Sequence, residues 1–282
     1  MKKIVYLFIL LLLLSLCDQH TYATEVEENP CQISFQIEIQ DWNAVRQFLP
    51  KYSKFTVIDV ESGKSFDVQR RAGSGHADVQ PLTKKDTKIM KKIYGGRWSW
   101  KRRAVLILAQ DSLIPASMHG MPHGAGALQN GFPGHFCIHF SGSTTHRTGK
   151  SDISHHLMIL KASGKIDEYL NNLPPSELLN VFLVIIKNGD TGLAKKIAIS
   201  NQKNINHELN KIKKIVAIRW SLPNQNKTDP YSLAANVPVD VNLFMNNIGA
   251  INTKLTFTLV RTSPLSPWKV NIDPLLSTIN KP

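Results

Sequence analysis

The sequence predicts an α+β protein whose first part is mostly β and whose second part is a group of helices followed by an antiparallel sheet. Two observations carry this expectation. Period-two alternation of apolar and polar residues recurs in the first half. Past Gly164, three helical stretches are followed by four strand-like ones punctuated by Pro, Asn and Gly.

The elements follow in chain order. QISFQIEIQ places Ile33, Phe35, Ile37 and Ile39 on one face, and KFTVIDV is rich in β-branched residues. ESGK reads as a hairpin turn into SFDVQRR. PLTKKDTKIMKKIYG reads as a helix capped by Thr83, with Asp86 three residues on and Ile89, Met90 and Ile93 as its apolar stripe. AVLILAQ and SLIPASMHG are short strands around a Gln110-Asp111 turn, and MPHGAGALQNGFPG is a glycine-rich loop. PGHFCIHF is again a strand, with Phe136, Ile138 and Phe140 on its core face and His135, Cys137 and His139 on the other. A helix with His155 and His156 follows, read as a surface pair. Beyond it, Asp167 to Leu173, Ser176 to Lys187 and TGLAKKIAISNQ are helical. IVAIRWSL, SLAANVPVDVNLFM, KLTFTLVRT and PWKVNIDPLL are strands.

The first 23 residues have the layout of a secretory signal: two lysines, an apolar run from Ile4 to Leu16, then a polar segment with Thr21 and Ala23 before a cleavage point. The expected product is secreted, at the cell envelope or wall, and Cys17 marks a lipoprotein alternative. The domains expected are residues 1–23 as signal peptide, 31–162 as a catalytic unit and 165–282 as an α+β accessory unit. The formal charge is +13 for the whole chain, and +12 without the signal peptide and its Lys2, Lys3 and Asp18. Such a surface suits anionic wall polymers or a membrane surface. Export and the lack of a nucleic-acid motif exclude nucleic acid as the partner. Two cysteines remain after cleavage, Cys31 and Cys137, so a disulfide between them competes with a reactive thiol.

Seven of the ten histidines fall between His119 and His156. A cysteine nucleophile needs a base to remove its proton and backbone N–H groups for the developing oxyanion, and glycines let backbone and substrate approach. A metal reading also stands open: His76, Asp78, His119, His123 and His135 offer nitrogen and oxygen ligands suited to zinc. Trp98 and Trp100 could line a groove or pack in a core. Trp220 and Trp268 read as core.

His119, a fourteen-residue spacer and Gly134-His135-Phe136-Cys137 resemble the motif of the L,D-transpeptidases (the YkuD-type catalytic domain), in which an upstream His precedes Ser/Thr-His-Gly-Cys. The resemblance covers about residues 33 to 160. It implies Cys137 as acyl-accepting nucleophile, His119 as general base and His135 as the second site histidine. Backbone amides of His135, Phe136 and Cys137 would bind the oxyanion, with no cofactor and no metal. The residues around them, Gly120, His123, Gly134, Phe136 and His139, would line the substrate groove. HADV-PLT, MHGMPHG and GHFCIHF-GS-TH resemble a variant group of bacterial exported proteins, which adds the block His76 to Asp78 as a second contributor to the groove. Gly134 stands for the family's Ser/Thr, Phe136 for its Gly and His139 for its Arg or Asn. If the family glycine needs a positive φ, Phe136 would carry strain. The implied activity is transpeptidation or carboxypeptidation of D-amino-acid-containing peptidoglycan stem peptides. The alternatives are a wall-binding protein with a decayed site and a zinc-dependent peptidoglycan peptidase. The closing PWKV-ID-LL and the helices-then-strands order resemble a cystatin-like or nuclear-transport-factor-like accessory domain.

Overall fold

A computed structural model describes residues 37–146, 149–223, 228–246 and 248–280. The signal peptide, the Cys17 alternative and Cys31 lie outside the described residues. Phe35–Pro282 forms one compact unit. No helix among the described residues is long and apolar enough to cross a membrane.

After a short helix α1 (Trp42–Phe48), the chain forms β1 (Lys54–Asp59), β2 (Ser65–Ala72), β3 (Ala77–Pro81), α2 (Lys84–Ile93), β4 (Arg102–Ala109), β5 (Ser112–His119) and β6 (Phe136–His139). The six strands close a barrel in the order β1-β2-β3-β6-β5-β4, with β4 pairing back to β1. Residues 32–36 of the expected strand QISFQIEIQ lie outside the described residues, and Ile37 makes an isolated bridge with Leu113. Gln110 and Asp111 both take positive φ (45° and 61°), as a two-residue hairpin turn matched to strand twist requires. Thr83 and Asp86 form the capping box that starts α2, and Met90 and Ile93 of that helix join the barrel core.

In a closed barrel, alternate residues face in and out. Val57, Val68, Val79, Ile107, Met118, Phe136, Ile138 and Phe140 belong to one buried cluster, the barrel interior. The intervening residues on β3, β5 and β6 therefore share the outer wall: Asp78 and Gln80, Ser117 and His119, Cys137 and His139.

At one end of the interior, Asp59 is wholly buried and receives both Nε (2.6 Å) and Nη2 (2.8 Å) of Arg103. Removing one partner of such a pair leaves an uncompensated buried charge. Arg103→Ala is expected to cost about 3–5 kcal/mol, nearer the lower end because the arginine is partly exposed. That corresponds to a fall in Tm of about 6–12 °C, read by calorimetry. A Tm within experimental error of wild type would show that water replaces the guanidinium.

The second layer begins with α3 (Ile153–Ala162), which packs across β4 and β5. Its Leu157, Met158 and Leu160 belong to a second core shared with Ala104 on the outside of β4. Next come α4 (Ile166–Asn171), α5 (Pro175–Asn188), α6 (Thr191–Ile197), β7 (Ala198–Ile199), α7 (Ile205–Ile212), β8 (Ile215–Ser221), β9 (Ala234–Met245), β10 (Gly249–Val260), β11 (Lys269–Asn271) and α8 (Asp273–Ile279). The sheet order is β7-β11-β10-β9-β8. Strand β9 alternates strictly, burying Val237, Val239, Val241, Leu243 and Met245 in the core that holds α5. Trp268 lies in this core with Trp220 packed against it. The protein is thus mixed α+β, with a closed six-stranded barrel and a second sheet.

Candidate functional site

Strand register builds the site. Asp78 on β3 lies directly opposite Cys137 on β6, and His139 lies opposite Ser117 on β5, so all four side chains share the outer wall. Four further histidines arrive from loops and α3. The glycine-rich loop folds back so that His123 and His135 exchange backbone N–H···O bonds, both 2.9 Å. His146 comes from the loop after Ser141. His155 hangs from α3 onto the wall, its Nδ1 2.8 Å from Ser117 Oγ and its ring stacked on His139 at 3.7 Å.

Cys137 is a free, buried thiol. Its hydrogen-bond partners among the described residues are His123 Nε2 at 3.2 Å and Asp78 Oδ1 at 3.6 Å. His123 Nδ1 lies 3.1 Å from the Met121 carbonyl. A carbonyl only accepts, so Nδ1 carries the proton and Nε2 turns its lone pair to the sulfur. Burial lowers the pKa of His123, so the ring is neutral and able to accept. Burial also pushes the Cys137 thiol well above the ordinary range, and the Asp78 carboxylate pushes it further. The resting group is therefore a thiol, not a thiolate. For Asp78 itself burial acts upward, but the hydrogen bond and charge of His76, with His135 and His146, outweigh it and hold the carboxyl down to about 2.

Asp78→Asn removes the negative charge beside the sulfur and should lower the thiol pKa. Alkylation of Cys137 by iodoacetamide, with chelator and reductant present, is then expected to begin at lower pH and run faster at pH 8 than in wild type. A slower reaction would mean that the carboxylate, not His123, accepts the thiol proton.

His119, the expected base, is not the histidine beside the sulfur. His119 is buried, packs on Trp100 (4.7 Å between ring centroids) and His123 (5.2 Å), and is not among the hydrogen-bond partners of Cys137. Burial, with Arg102 next, holds its pKa far down. His135 adjoins the site, with Nδ1 3.0 Å from the Ala125 carbonyl and Nε2 3.7 Å from Asp78. Its backbone N–H is bonded to the His123 carbonyl, which removes it as an oxyanion donor.

Of the expected groove residues, Phe136 is completely buried in the barrel core against Phe132 and Phe66 and cannot line a groove. It is not among the residues with positive φ. That conformation falls on Gly134, at +117°. Gly120 is buried, and a Cβ there would overlap the Tyr94 ring, so its role is packing. His139 is buried between His76 (4.5 Å) and His155, and burial, with His76 and Arg102 following, holds its pKa at about 2. His76 does reach the site, 3.2 Å from Asp78 and 2.9 Å from His146 Nε2.

His155, read as half of a surface pair, is buried because α3 is covered on both sides, by the barrel and by the second core. Trp98 packs edge-on against Phe132, whereas Trp100 is half exposed beside His119 and His123.

Three residues take their place at the site only through the fold. His146 is a loop histidine until the chain folds. Asp78 gains its role from strand register. Gln80, wholly buried two residues beyond Asp78, accepts from the N–H groups of Ala127 (2.9 Å) and Leu128 (3.3 Å) and donates to the Gly134 carbonyl (2.8 Å). It pins both limbs of the glycine-rich loop.

Fold and site together define a barrel-based α+β protein with a Cys–His pair on the outside of its wall. Compared with models of known families, with curated proteins and with solved structures, the chain has no match.

Proposed function

We propose that this chain is an exported cell-envelope cysteine acyltransferase of the L,D-transpeptidase kind, acting on D-amino-acid-containing stem peptides of peptidoglycan. The observation that carries the chemistry is the Cys137–His123 pair, with the imidazole proton fixed on Nδ1 by Met121 and the free lone pair 3.2 Å from the sulfur. The substrate class rests on the resemblance of the His-to-Cys segment, and the cell-envelope location on the signal-like first 23 residues. The net charge of +13 is compatible with anionic wall polymers.

The steps follow from the protonation states. Because the thiol is protonated at rest, its proton passes to His123 Nε2 as the S–C bond forms at the substrate carbonyl, a general-base step worth about 10²–10⁴-fold. The tetrahedral adduct collapses, the C–N bond breaks, and the imidazolium returns the proton to the departing amine. An amine acceptor or water then attacks the thioester with His123 again as base, and the S–C bond breaks to restore the thiol. Trp100, half exposed beside His123, offers a flat apolar surface to the substrate next to the reacting atoms.

The test is intact-protein mass spectrometry of the mature chain, with chelator and reductant, after exposure to a stem-peptide mimic or a carbapenem. One acyl adduct is expected on Cys137 and none in Cys137→Ala. Folded wild-type protein that stays unmodified would defeat this reading and favour a wall-binding protein with a decayed site.

A further inference from the structure

The Cys–His pair uses only two of the groups that meet outside β3 and β6. The Nε2 atoms of His76, His123, His135 and His146 converge there with Cys137 Sγ and Asp78 Oδ1. The Nδ1 atoms of three of these rings lie within hydrogen-bond distance of backbone carbonyls: His76 with Thr144 at 2.7 Å, His123 with Met121 at 3.1 Å and His135 with Ala125 at 3.0 Å. Each carbonyl can only accept, so each Nδ1 carries a proton, and in the neutral ring each Nε2 is the nitrogen free to ligate. Imidazoles that ligate metals are oriented in this way, by an outer hydrogen bond from the other ring nitrogen.

Donors are few among the inward-facing groups: the Cys137 thiol reaches Asp78 Oδ1 at 3.6 Å, and the 2.9 Å contact of His76 and His146 Nε2 needs an N–H from one of the two rings. Asp78 Oδ1 faces His76 and His146 at 3.2 Å and His135 at 3.7 Å. The Nε2 of His135 is buried with no hydrogen-bond partner. A shared cation would take the place of these protons and give His135 Nε2 a partner.

We infer that the chain binds one zinc-class divalent ion through Cys137 Sγ and the Nε2 atoms of His123, His135 and His146. Each of these four residues offers a ligand atom within 4.8 Å of those of the other three. Tetrahedral zinc, with Zn–N of about 2.0–2.1 Å and Zn–S of about 2.3 Å, sets its ligand atoms roughly 3.3–3.7 Å apart, so closure needs shifts of about 1 Å. Two ligands are already fixed, because His123 and His135 sit on the paired backbone bridge. His146, with its side chain half exposed, supplies the adjustable one. A thiolate with three imidazoles selects zinc, cobalt or copper over magnesium and calcium. Binding releases the thiol proton to solvent, and the Asp78 carboxylate balances the remaining positive charge. His76 and Asp78, with Cys137 and His146, form the neighbouring alternative set.

A sulfur bound to zinc has no proton for His123 to accept, so the metal-bound form is silent in acyl transfer. This consequence rests on the acyltransferase reading, but the binding does not.

The experiment titrates Co²⁺ and Zn²⁺ into chelator-stripped mature protein. One equivalent of Co²⁺ is expected to bind with a thiolate-to-cobalt charge-transfer band, to be displaced by Zn²⁺ and to be unaffected by excess Mg²⁺. The band should vanish in Cys137→Ser, and binding should weaken at least about tenfold in His123→Ala and His146→Ala but not in His76→Ala. Circular dichroism would establish that each variant is folded. A wild-type protein with no band, or a Cys137→Ser variant that binds as tightly, overturns the site. Loss of binding in His76→Ala but not His123→Ala overturns this ligand set. Acylation is measured separately, with and without zinc. Zinc that leaves adduct formation unchanged overturns ligation through Cys137. A cobalt band in a protein that forms no adduct without metal upholds the site and defeats only the acyltransferase reading.

Discussion

Replacing His123 by alanine is expected to slow acylation of Cys137 by about 10²–10⁴-fold in chelated protein, the contribution of a positioned general base. His119→Ala should cost far less, because that ring is buried against Trp100 and does not hydrogen-bond the sulfur. The measurement is the rate of adduct formation by mass spectrometry for the two variants side by side. The physical basis is the proton inventory of one ring: Nδ1 committed to Met121, Nε2 open to the thiol. His123→Gln keeps a polar group near the sulfur but supplies no comparable base, and should remain near the alanine rate. If His119→Ala is the slower variant, the base has been misassigned and the spacing-based choice of His119 is restored.

The second large effect is expected at Gly134. Its φ of +117° is one that side chains rarely tolerate, and a Cβ there would lie 2.5 Å from the His123 carbonyl oxygen and 2.8 Å from that of Gly124. Both obstacles are backbone atoms, so neither can rotate away. Gly134→Ala must push apart the His123–His135 backbone pair, which aims one imidazole at the thiol. The strain itself is about 1–3 kcal/mol, a Tm change of a few degrees in a chain of this size. A displacement of about 1 Å of a catalytic group can cost about 10²-fold in rate. The expected signature is therefore a modest loss of stability with a loss of acylation near 10²-fold. A variant that melts lower but acylates at the wild-type rate would show that the bridge does not position His123.

Local rules read well from the sequence where the deciding contacts are near in the chain. The alternation in PGHFCIHF assigns Phe136, Ile138 and Phe140 to the barrel core and Cys137 to the opposite face. Thr83 and Asp86 mark the start of α2, and Gln110-Asp111 marks the β4–β5 turn. The site resists such reading because long-range pairings assemble it. Asp78 and Cys137 are 59 residues apart and meet through strand register. His146 reaches His76 across 70 residues.

The motif spacing points to His119, but spacing cannot show that the glycine-rich loop doubles back and brings His123 to the sulfur instead. The expectation of strain at Phe136 fell two residues from the glycine that takes the unusual φ. His155 was misread for a different reason. A two-histidine stretch resembles a polar helix face, yet ISHHLMILKA is apolar around most of its circumference, as a helix covered on both sides must be.

Gln80 also governs the direction from which a ligand arrives. One buried amide holds Ala127 and Leu128 on one limb of the loop and Gly134 on the other. Lifting the loop as a flap would strand the buried Gln80 amide without its three backbone partners, so the loop is a fixed wall. The half-exposed side chains beside the site are then those of Trp100 and His146. A bulky group built beside Trp100 should obstruct entry, whereas a change at His146 would also remove a ligand of the inferred zinc site.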